Sequence, residues 1–309
     1  MKTSPRTVRA ATVVAATLVI TAFVLPADSL RTGSARGADR PAAPPAAVPP
    51  PALDATAAGV LAAAVPPVGL RCPSLAVVGH RGAPRAAAEN TMAAFRAALD
   101  GGADWLETDV QTTRDGVPVL MHDATVDRVT NGHGKVSELT AAQIAALRVT
   151  VGPGPAQPVP TLQELLDELA GTSTRLLMEI KEQRSPQDAA RIARIAAAGG
   201  ADVVLYSFFP ALLQAAHEAA PELPVVLLQG AFLSNDPGRL RLDAIALDEQ
   251  LATPERIARE HAAGRQVYVW KLDRETAWRT MADRHADGLI TDVPAAARTW
   301  TDANCPPVL

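Results

Sequence analysis

Three acidic residues are spaced so that they could assemble a metal site. Glu107 and Asp109 stand two positions apart in the apolar run Trp105–Val110, so on a β-strand their side chains point to the same face. Two carboxylates this close repel each other unless a cation or a proton separates them. Glu179, in a second apolar run, offers a third oxygen ligand, and an all-carboxylate set suits a hard ion such as Ca²⁺ or Mg²⁺. The alternative is that Glu107 pairs with an arginine and Asp109 caps a turn.

Two of the six histidines also follow strand-like runs. His80 comes directly after Leu75–Gly79, and His122 comes directly after Val117–Met121. A pair of imidazoles beside a metal ion can take a proton from an attacking hydroxyl and return one to a leaving alkoxide. Either histidine alone would more often be structural, so the interpretation depends on the pair. Together they predict general acid–base chemistry at the metal site.

Basic and aromatic residues beside these groups predict a site for a phosphoryl group. Arg81 adjoins His80, and Lys181 lies two residues after Glu179. Arginine binds phosphate oxygens through a planar fork, whereas lysine acts as a point charge. Trp270 ends another apolar run and offers an apolar wall for the ligand, although a buried core tryptophan is nearly as frequent an outcome.

A parallel barrel would place all of these side chains at one end. Eight short apolar runs alternate with stretches whose apolar residues recur at helical spacing. The predicted strands are Leu75–Gly79, Trp105–Val110, Arg175–Ile180, Val203–Tyr206, Val225–Leu228, Ala244–Leu247, Val267–Trp270 and Gly288–Thr291. Eight such units predict an α/β fold, a TIM-type (β/α)8 barrel, with an open doubly wound sheet as the alternative. In a barrel of this type the active site lies at the carboxyl ends of the strands.

One segment departs from this alternation. Asp115-Gly116 separates the second strand from Val117–Met121, and Asp-Gly between two strand-like runs is typical of a β-hairpin. We therefore predict a hairpin insertion after strand 2, whose antiparallel strand ends at His122. The Gly-rich residues Thr130–Gln157 would form a further insertion before the next helix.

The first 69 of the 309 residues do not have the composition of a folded domain. Residues 1–27 start with basic residues and continue with the apolar stretch Ala10–Leu25, which is typical of a secretory signal peptide and short for a membrane span. Residues 28–69 are rich in alanine and proline and predict an extended linker, which leaves residues 70–309 as one barrel domain. We expect a secreted, extracellular protein, with an uncleaved N-terminal membrane anchor as the alternative.

Two cysteines, Cys72 and Cys305, bracket the predicted domain. A closed barrel brings its first and last elements together. In an exported protein this placement predicts a disulfide between the two residues. Two unrelated thiols are the alternative.

The charge of the chain narrows the choice of partners. The net charge is −4 at pH 7, and no basic run follows Arg9, which argues against a nucleic-acid partner. We expect a small-molecule substrate and, once the signal peptide is removed, no stable insertion into a membrane. The oligomeric state does not follow from the sequence.

Taken in order, these motifs resemble the glycerophosphodiester phosphodiesterase family. The matching segments are Val78-Gly79-His80-Arg81-Gly82, Glu89-Asn90-Thr91, Glu107-Thr108-Asp109-Val110, Asp115-Gly116, His122-Asp123, Pro160-Thr161-Leu162, Glu179-Ile180-Lys181, Ser207-Phe208 and Asp287-Gly288-Leu289-Ile290-Thr291-Asp292. The resemblance covers nearly the whole domain, from about Leu75 to Pro294. It implies a barrel enzyme that uses a divalent metal ion to hydrolyse glycerophosphodiesters to glycerol 3-phosphate and an alcohol.

The resemblance also implies a role for each matching residue. By position, the metal ligands would be Glu107, Asp109 and Glu179. The acid–base pair would be His80 and His122, and the phosphate would be held by Arg81 and Lys181. Glu89 would support the site from its edge, with a simple charge at a helix N-terminus as the alternative. The run Trp270-Lys271-Leu272-Asp273 departs from the family, which usually has a small polar residue after the tryptophan and then an asparagine, and this departure affects the substrate pocket.

Two other functions are alternatives at this point. A phospholipase D-like or phosphoinositide-type relative would act on intact lipids through a similar two-histidine site, and it would need an exposed apolar rim. A non-catalytic secreted binding protein would keep the fold but would be expected to lose several of the clustered groups. None of those groups is missing from the sequence.

Overall fold

The computed structural model describes residues 75–181, 185–231 and 235–304. The predicted signal peptide, the linker and both cysteines of the predicted disulfide lie outside the described residues. Among the residues that are described, no helix combines the length and the apolar character needed to cross a membrane.

The described residues alternate between strands and helices. In chain order the strands are β1 (Ala76–Gly79), β2 (Trp105–Thr112), β3 (Pro118–Leu120), β4 (Arg148–Val149), β5 (Gln157–Pro158), β6 (Arg175–Ile180), β7 (Asp202–Ser207), β8 (Val225–Gln229), β9 (Ala244–Asp248), β10 (Gln266–Trp270) and β11 (Gly288–Thr291). The α-helices are α1 (Met92–Asp100), α2 (Ala141–Ala145), α3 (Leu162–Leu169), α4 (Pro186–Ala198), α5 (Pro210–Ala219), α6 (Pro254–Ala262), α7 (Glu275–Asp283) and α8 (Pro294–Asn304).

Eight parallel strands close into a barrel. The order β1-β11-β10-β9-β8-β7-β6-β2 is completed by a parallel pairing of β1 with β2, so the cylinder has no free edge. The predicted TIM-type (β/α)8 barrel is therefore confirmed, and the open doubly wound sheet is wrong. The described residues of the connection from β8 to β9 contain no helix.

The barrel interior is apolar for most of its height. Because the sheet is covered by helices outside and filled by side chains inside, its strands are buried on both faces, and β6 is buried at every residue. Side chains that pack together inside include Ala76, Val78, Trp105, Leu177, Val204, Tyr206, Val226, Leu228, Ala246, Tyr268 and Ile290. Trp105 and Leu177 belong to the inward-facing rows that continue, two residues at a time, to Glu107 and Asp109 on β2 and to Glu179 on β6.

Helix α3 illustrates how the outer layer is attached. Thr161 accepts a hydrogen bond from the backbone N–H of Glu164, and the Glu164 side chain accepts one from Thr161 in return, which forms a capping box. The four leucines of the helix, at the spacing seen in the sequence, are fully buried against the barrel: Leu162, Leu165, Leu166 and Leu169.

The predicted hairpin after strand 2 is confirmed. Strand β3 runs antiparallel to β2, with Leu120 opposite Val110. The segment that follows is more structured than its Gly-rich composition indicates. It contains α2 and the small β4–β5 sheet, and it packs its own apolar cluster, which includes Val126, Val136 and Ile144.

Candidate active site

The three predicted metal ligands converge at the carboxyl ends of neighbouring strands. Glu107, Asp109 and Glu179 each offer an oxygen atom, and these atoms lie within 4.8 Å of one another. All three side chains are buried. The convergence follows from the parallel pairing of β2 with β6, in which Asp109 lies opposite Glu179.

Two cations lie against these carboxylates. Lys181 Nζ is 3.1 Å from Asp109 Oδ1 and 2.8 Å from Glu179 Oε1. On the other side, Arg81 Nε is 3.1 Å from Asp109 Oδ2, and the backbone N–H of Arg81 donates to Glu107 Oε2 at 2.9 Å. With every group ionised, three carboxylates and two cations leave one negative charge uncompensated.

Burial in the cluster changes the proton affinities of its acids. Burial raises the pKa of Glu107 well above its ordinary value, and the charges of Asp109 and Glu179 raise it further. Burial also raises the pKa of Glu179 to about 8, against the opposing charge of Lys181 and with an added contribution from Asp109. Burial acts in the same direction on Asp109, but Lys181 and Arg81 outweigh it and hold the pKa of Asp109 well below its ordinary value.

The donor set fits a divalent cation. It consists of buried carboxylate oxygens with surplus negative charge, and oxygen ligands of this kind suit hard ions such as Ca²⁺ and Mg²⁺. Two of the three acids favour protonation when only Arg81 and Lys181 balance them, so further positive charge would stabilise their ionised forms. The acidic cluster could therefore hold a metal ion.

His80 belongs to a histidine–aspartate pair made by closure of the barrel. Its Nδ1 lies 2.6 Å from Asp292 Oδ1, and the two residues follow β1 and β11, which pair in parallel. Lys271 bonds to the other oxygen of Asp292, and Asp273 accepts a hydrogen bond from the backbone N–H of Asp292 at 2.8 Å. Burial would raise the pKa of Asp292, but the bonds from His80 and Lys271 lower it to about 2. Asp292 is thus an anion that orients the His80 ring.

His122 belongs to a second pair, made within one loop. Its Nδ1 lies 2.6 Å from Oδ1 of the adjacent Asp123, and Arg128 Nε lies 2.5 Å from Oδ2 of the same carboxylate. Burial lowers the pKa of His122, although the charge of Asp109 opposes this change. A lowered pKa favours the neutral ring, in which one of the nitrogens can accept a proton.

An open cleft of about 280 Å³ lies beside the acidic cluster. It is lined by His80, Arg81, Pro84, Glu89, Trp270, Lys271 and Asp292. The Trp270 ring packs edge-on against Phe208, with ring centroids 5.6 Å apart, and its Nε1 donates to the carbonyl of Ala246 at 3.2 Å. Trp270 is partly buried: it packs against the apolar side chains of the barrel interior and also forms a wall of the cleft.

Glu89 is more than a charge at the start of a helix. Its Oε1 accepts hydrogen bonds from Arg81 Nη1 at 3.0 Å and from Arg128 Nη2 at 2.6 Å. Burial would raise the pKa of Glu89, but the bonds and charges of Arg128 and Arg81 lower it. Glu89 is therefore a carboxylate between two guanidinium groups at the edge of the cleft.

The remaining histidines lie elsewhere. His217 is in α5 and His261 is in α6, as the sequence indicates, and His133 is in an exposed loop. The sequence around His285 is also typical of a helix, but α7 ends at Asp283, and His285 stands in the following turn with φ 61°.

Sequence reasoning left three side chains of the site without a role. Asn90 donates from Nδ2 to Asp109 Oδ2 at 2.8 Å, and its φ of 54° lies in the left-handed region that asparagine tolerates better than most residues. Asp292 ends the segment Asp287–Asp292 that resembles the family, and the expected closure of the barrel was the signal that could have paired it with His80. Arg128 lies in a loop without periodicity, and no local pattern marks it.

Comparison with known proteins agrees with this geometry. The sequence profile of the Glycerophosphoryl diester phosphodiesterase family matches residues 80–296. A glycerophosphodiester phosphodiesterase of Caldanaerobacter subterraneus subsp. tengcongensis is 32% identical over 228 residues, which are 71% of this chain and 94% of that protein.

Solved structures give the same result. A Silicibacter pomeroyi DSS-3 protein assigned to the glycerophosphoryl diester phosphodiesterases superimposes with a TM-score of 0.66 at 28% identity, covering 77% of this chain and 96% of that one. A glycerophosphodiester phosphodiesterase of Agrobacterium tumefaciens str. C58 gives a TM-score of 0.62 at 29% identity, covering 74% and 99%. The profile match over most of the barrel, together with these similarities, establishes that the chain belongs to the glycerophosphoryl diester phosphodiesterase family of enzymes.

Proposed function

We propose that the protein hydrolyses glycerophosphodiesters to glycerol 3-phosphate and an alcohol, with a divalent metal ion and two histidines. One observation carries the proposal: three buried carboxylates and two histidine–aspartate pairs meet at the carboxyl end of a single barrel. The family assignment supports the reaction class, and the cleft beside the cluster has room for a small substrate.

Glu107, Asp109 and Glu179 would hold the ion, either Ca²⁺ or Mg²⁺. When bound there, such an ion supplies positive charge that neutralises an oxygen of the phosphodiester. Arg81 and Lys181 already contact the same carboxylates, so a phosphate drawn to the cluster would meet both cations. Arg81 would offer paired donors to the phosphate and Lys181 a point charge.

The two histidines would divide the proton transfers. One takes the proton from the glycerol hydroxyl next to the phosphate ester, and the oxygen of that hydroxyl attacks phosphorus. The bond from phosphorus to the leaving alcohol breaks, and the second histidine gives a proton to the departing oxygen. Water then opens the cyclic phosphate to yield glycerol 3-phosphate. Internal attack is favoured because the nucleophile is held next to the phosphorus atom.

A substrate analogue separates internal attack from direct attack by water. Replacing the glycerol unit by 1,3-propanediol removes the neighbouring hydroxyl and keeps the rest of the diester. We expect no turnover of this analogue, with glycerophosphocholine as the positive control in the same enzyme preparation. Turnover of the analogue at the rate of glycerophosphocholine would contradict internal attack and leave water as the nucleophile.

The function itself is tested by comparing glycerophosphocholine with sphingomyelin, each with and without a chelator, using ³¹P NMR to follow the products. We expect glycerol 3-phosphate from glycerophosphocholine, none in excess chelator, and no reaction with sphingomyelin. Val151 is the one large apolar side chain that is exposed among the described residues. These residues therefore do not form the apolar rim that a lipid substrate needs. Cleavage of sphingomyelin in preference to glycerophosphocholine would contradict the proposal.

We also propose that the protein is exported and carries a disulfide between Cys72 and Cys305. The basic and apolar N-terminus and the placement of the cysteines at the two ends of the domain support this. Thiol titration of the denatured, unreduced exported protein should find no free thiol. Two reactive thiols per chain would contradict the disulfide.

A further inference from the structure

We propose that Arg128 is a positioning residue that holds His122 for proton transfer by joining Asp123 to Glu89. The inference rests on the proposed role of His122 and adds to it the group that keeps the His122 ring in place. Arg128 itself is not among the residues that line the cleft.

The Arg128 guanidinium is divided between two carboxylates on different loops. Its Nη2 and Nη1 lie 2.6 Å and 3.1 Å from the two oxygens of Glu89, in the loop between β1 and α1. Its Nε and Nη2 lie 2.5 Å and 3.3 Å from the two oxygens of Asp123, in the loop after β3. A planar fork that bonds two carboxylates at once fixes their separation in a way that a single ammonium group cannot.

These contacts complete a chain of bonds from His122 to Glu89 and Arg81, two residues that line the cleft. His122 bonds to Asp123, Asp123 to Arg128, Arg128 to Glu89, and Glu89 to Arg81. The chain joins the histidine on the β3 side to the arginine that follows β1, and Arg81 contacts Glu107 and Asp109. The relative position of His122 and the acidic cluster therefore depends on Arg128.

Arg128 also fixes the state of the carboxylate that orients the ring. Burial would raise the pKa of Asp123, but the hydrogen bonds from Arg128 and His122 lower it. An ionised Asp123 accepts from Nδ1–H of His122, which leaves Nε2 as the nitrogen that exchanges protons. Asp123 is partly exposed, with 27% of its side chain accessible, so without Arg128 it could turn toward water.

The test compares Arg128→Ala with Arg96→Ala. Arg96 makes a matching two-bond fork, 2.8 Å and 2.8 Å to Glu168, and joins α1 to α3 outside the cleft. Loss of a group that orients a metal-binding histidine typically lowers activity by about 10–100-fold. By analogy we expect Arg128→Ala to lower kcat by that factor, with much less change in KM. Arg96→Ala should keep parental kcat. Circular dichroism and thermal melting establish that both variants fold, and Arg128→Gln replaces Arg128→Ala if the latter does not.

Introducing Arg128→Ala into the His122→Ala protein tests whether Arg128 acts through His122. Residues that act as a unit are strongly non-additive, so Arg128→Ala should cause little further loss in the His122→Ala protein. Added guanidinium ion should restore part of kcat in Arg128→Ala and none in His122→Ala. Arg128→Lys should recover less than full activity, because one ammonium cannot form the fork.

The outcomes separate this inference from the proposed function. Parental kcat in a folded Arg128→Ala or Arg128→Gln protein would overturn the positioning role, and so would losses that multiply in the double variant. Parental turnover in a folded His122→Ala protein would instead contradict the proposed role of His122 in proton transfer.

Discussion

His80 and His122 each have a carboxylate oxygen 2.6 Å from Nδ1, yet the two carboxylates reach them by different routes. Asp292 is 212 residues away from His80 in the chain and arrives through the parallel pairing of β1 with β11. Asp123 is the next residue after His122, and its second oxygen is held by Arg128 from the same loop. One pair is therefore a product of barrel closure and the other a product of local loop structure.

The two pairs also differ in burial. The side chains of His80 and Asp292 are 20% and 9% exposed, whereas those of His122 and Asp123 are 35% and 27% exposed. Breaking a buried, bonded pair leaves polar groups without partners and costs more than breaking an exposed one. The comparison indicates that the first pair contributes to stability as well as orientation, while the second contributes mainly to orientation.

The largest effect on activity is expected from loss of the metal ion. The ion would neutralise the phosphodiester, and both histidine–aspartate pairs act on that same substrate. Exhaustive removal of divalent ions should abolish activity, and addition of Ca²⁺ or Mg²⁺ should restore it. The measurement is turnover of glycerophosphocholine before dialysis against chelator, after it, and after titration with each ion. Full turnover in excess chelator would refute a metal-dependent site.

The histidines come next. Removing a group that transfers a proton in the transition state typically costs roughly 10²–10⁴-fold in rate, so His80→Ala and His122→Ala should each lose activity on that scale. Because the two act as a unit, the double variant should lose less than the product of the single losses. His217→Ala, in α5, is the control and should stay close to the parent. A folded His122→Ala protein with parental kcat would show that the loop after β3 does not belong to the active site.

Replacing the carboxylates distinguishes the two pairs. We expect Asp292→Asn and Asp123→Asn each to lower kcat by about 10–100-fold, since both orient a catalytic ring. Only Asp292→Asn should also lower the melting temperature clearly, because Asp292 is buried whereas Asp123 is partly exposed. Equal melting temperatures for the two variants would contradict the different roles of the pairs in stability.

The smallest effect concerns pH. The pKa of Glu179 is about 8 in the folded protein, above its ordinary value of 4.5, so its contribution to stability is present below pH 4.5 and is lost as the pH rises through 8. A bound ion replaces the proton, and metal affinity therefore rises with pH. Saturating Ca²⁺ or Mg²⁺ should raise the melting temperature more at about pH 8.5 than at about pH 5.5. A shift that is equal or smaller at the higher pH would contradict the assignment of Glu179 as a ligand.

The sequence was sufficient for the parts of the site that depend on strand periodicity. Glu107 and Asp109 share a face because side chains alternate along a strand, and their meeting with Glu179 follows from parallel neighbours. The Asp115-Gly116 turn likewise predicted the antiparallel β3 and hence the place of His122.

The contacts made by the loops were harder to predict because the residues that make them follow no repeating spacing in the sequence. Arg128 reaches Glu89 across 39 residues of chain, and nothing in the intervening sequence marks that contact. Lys271 and Asp273 were visible as a departure from the family, but only the structure shows that both contact Asp292. The apolar cluster around Val136 was hidden by the Gly-rich composition of its segment.

The most direct test of the central claim, that two histidines divide the proton transfers, varies the leaving group. The p-nitrophenolate released from a p-nitrophenyl glycerophosphodiester is a stable anion and needs no proton. The choline oxygen released from glycerophosphocholine must receive a proton as it leaves. We predict that the variant lacking the general acid, either His80→Ala or His122→Ala, loses roughly 10²–10⁴-fold with the choline diester and much less with the nitrophenyl diester. The variant lacking the base should lose a similar factor with both substrates. Equal losses in both variants, whatever the leaving group, would contradict a division of roles between the two histidines.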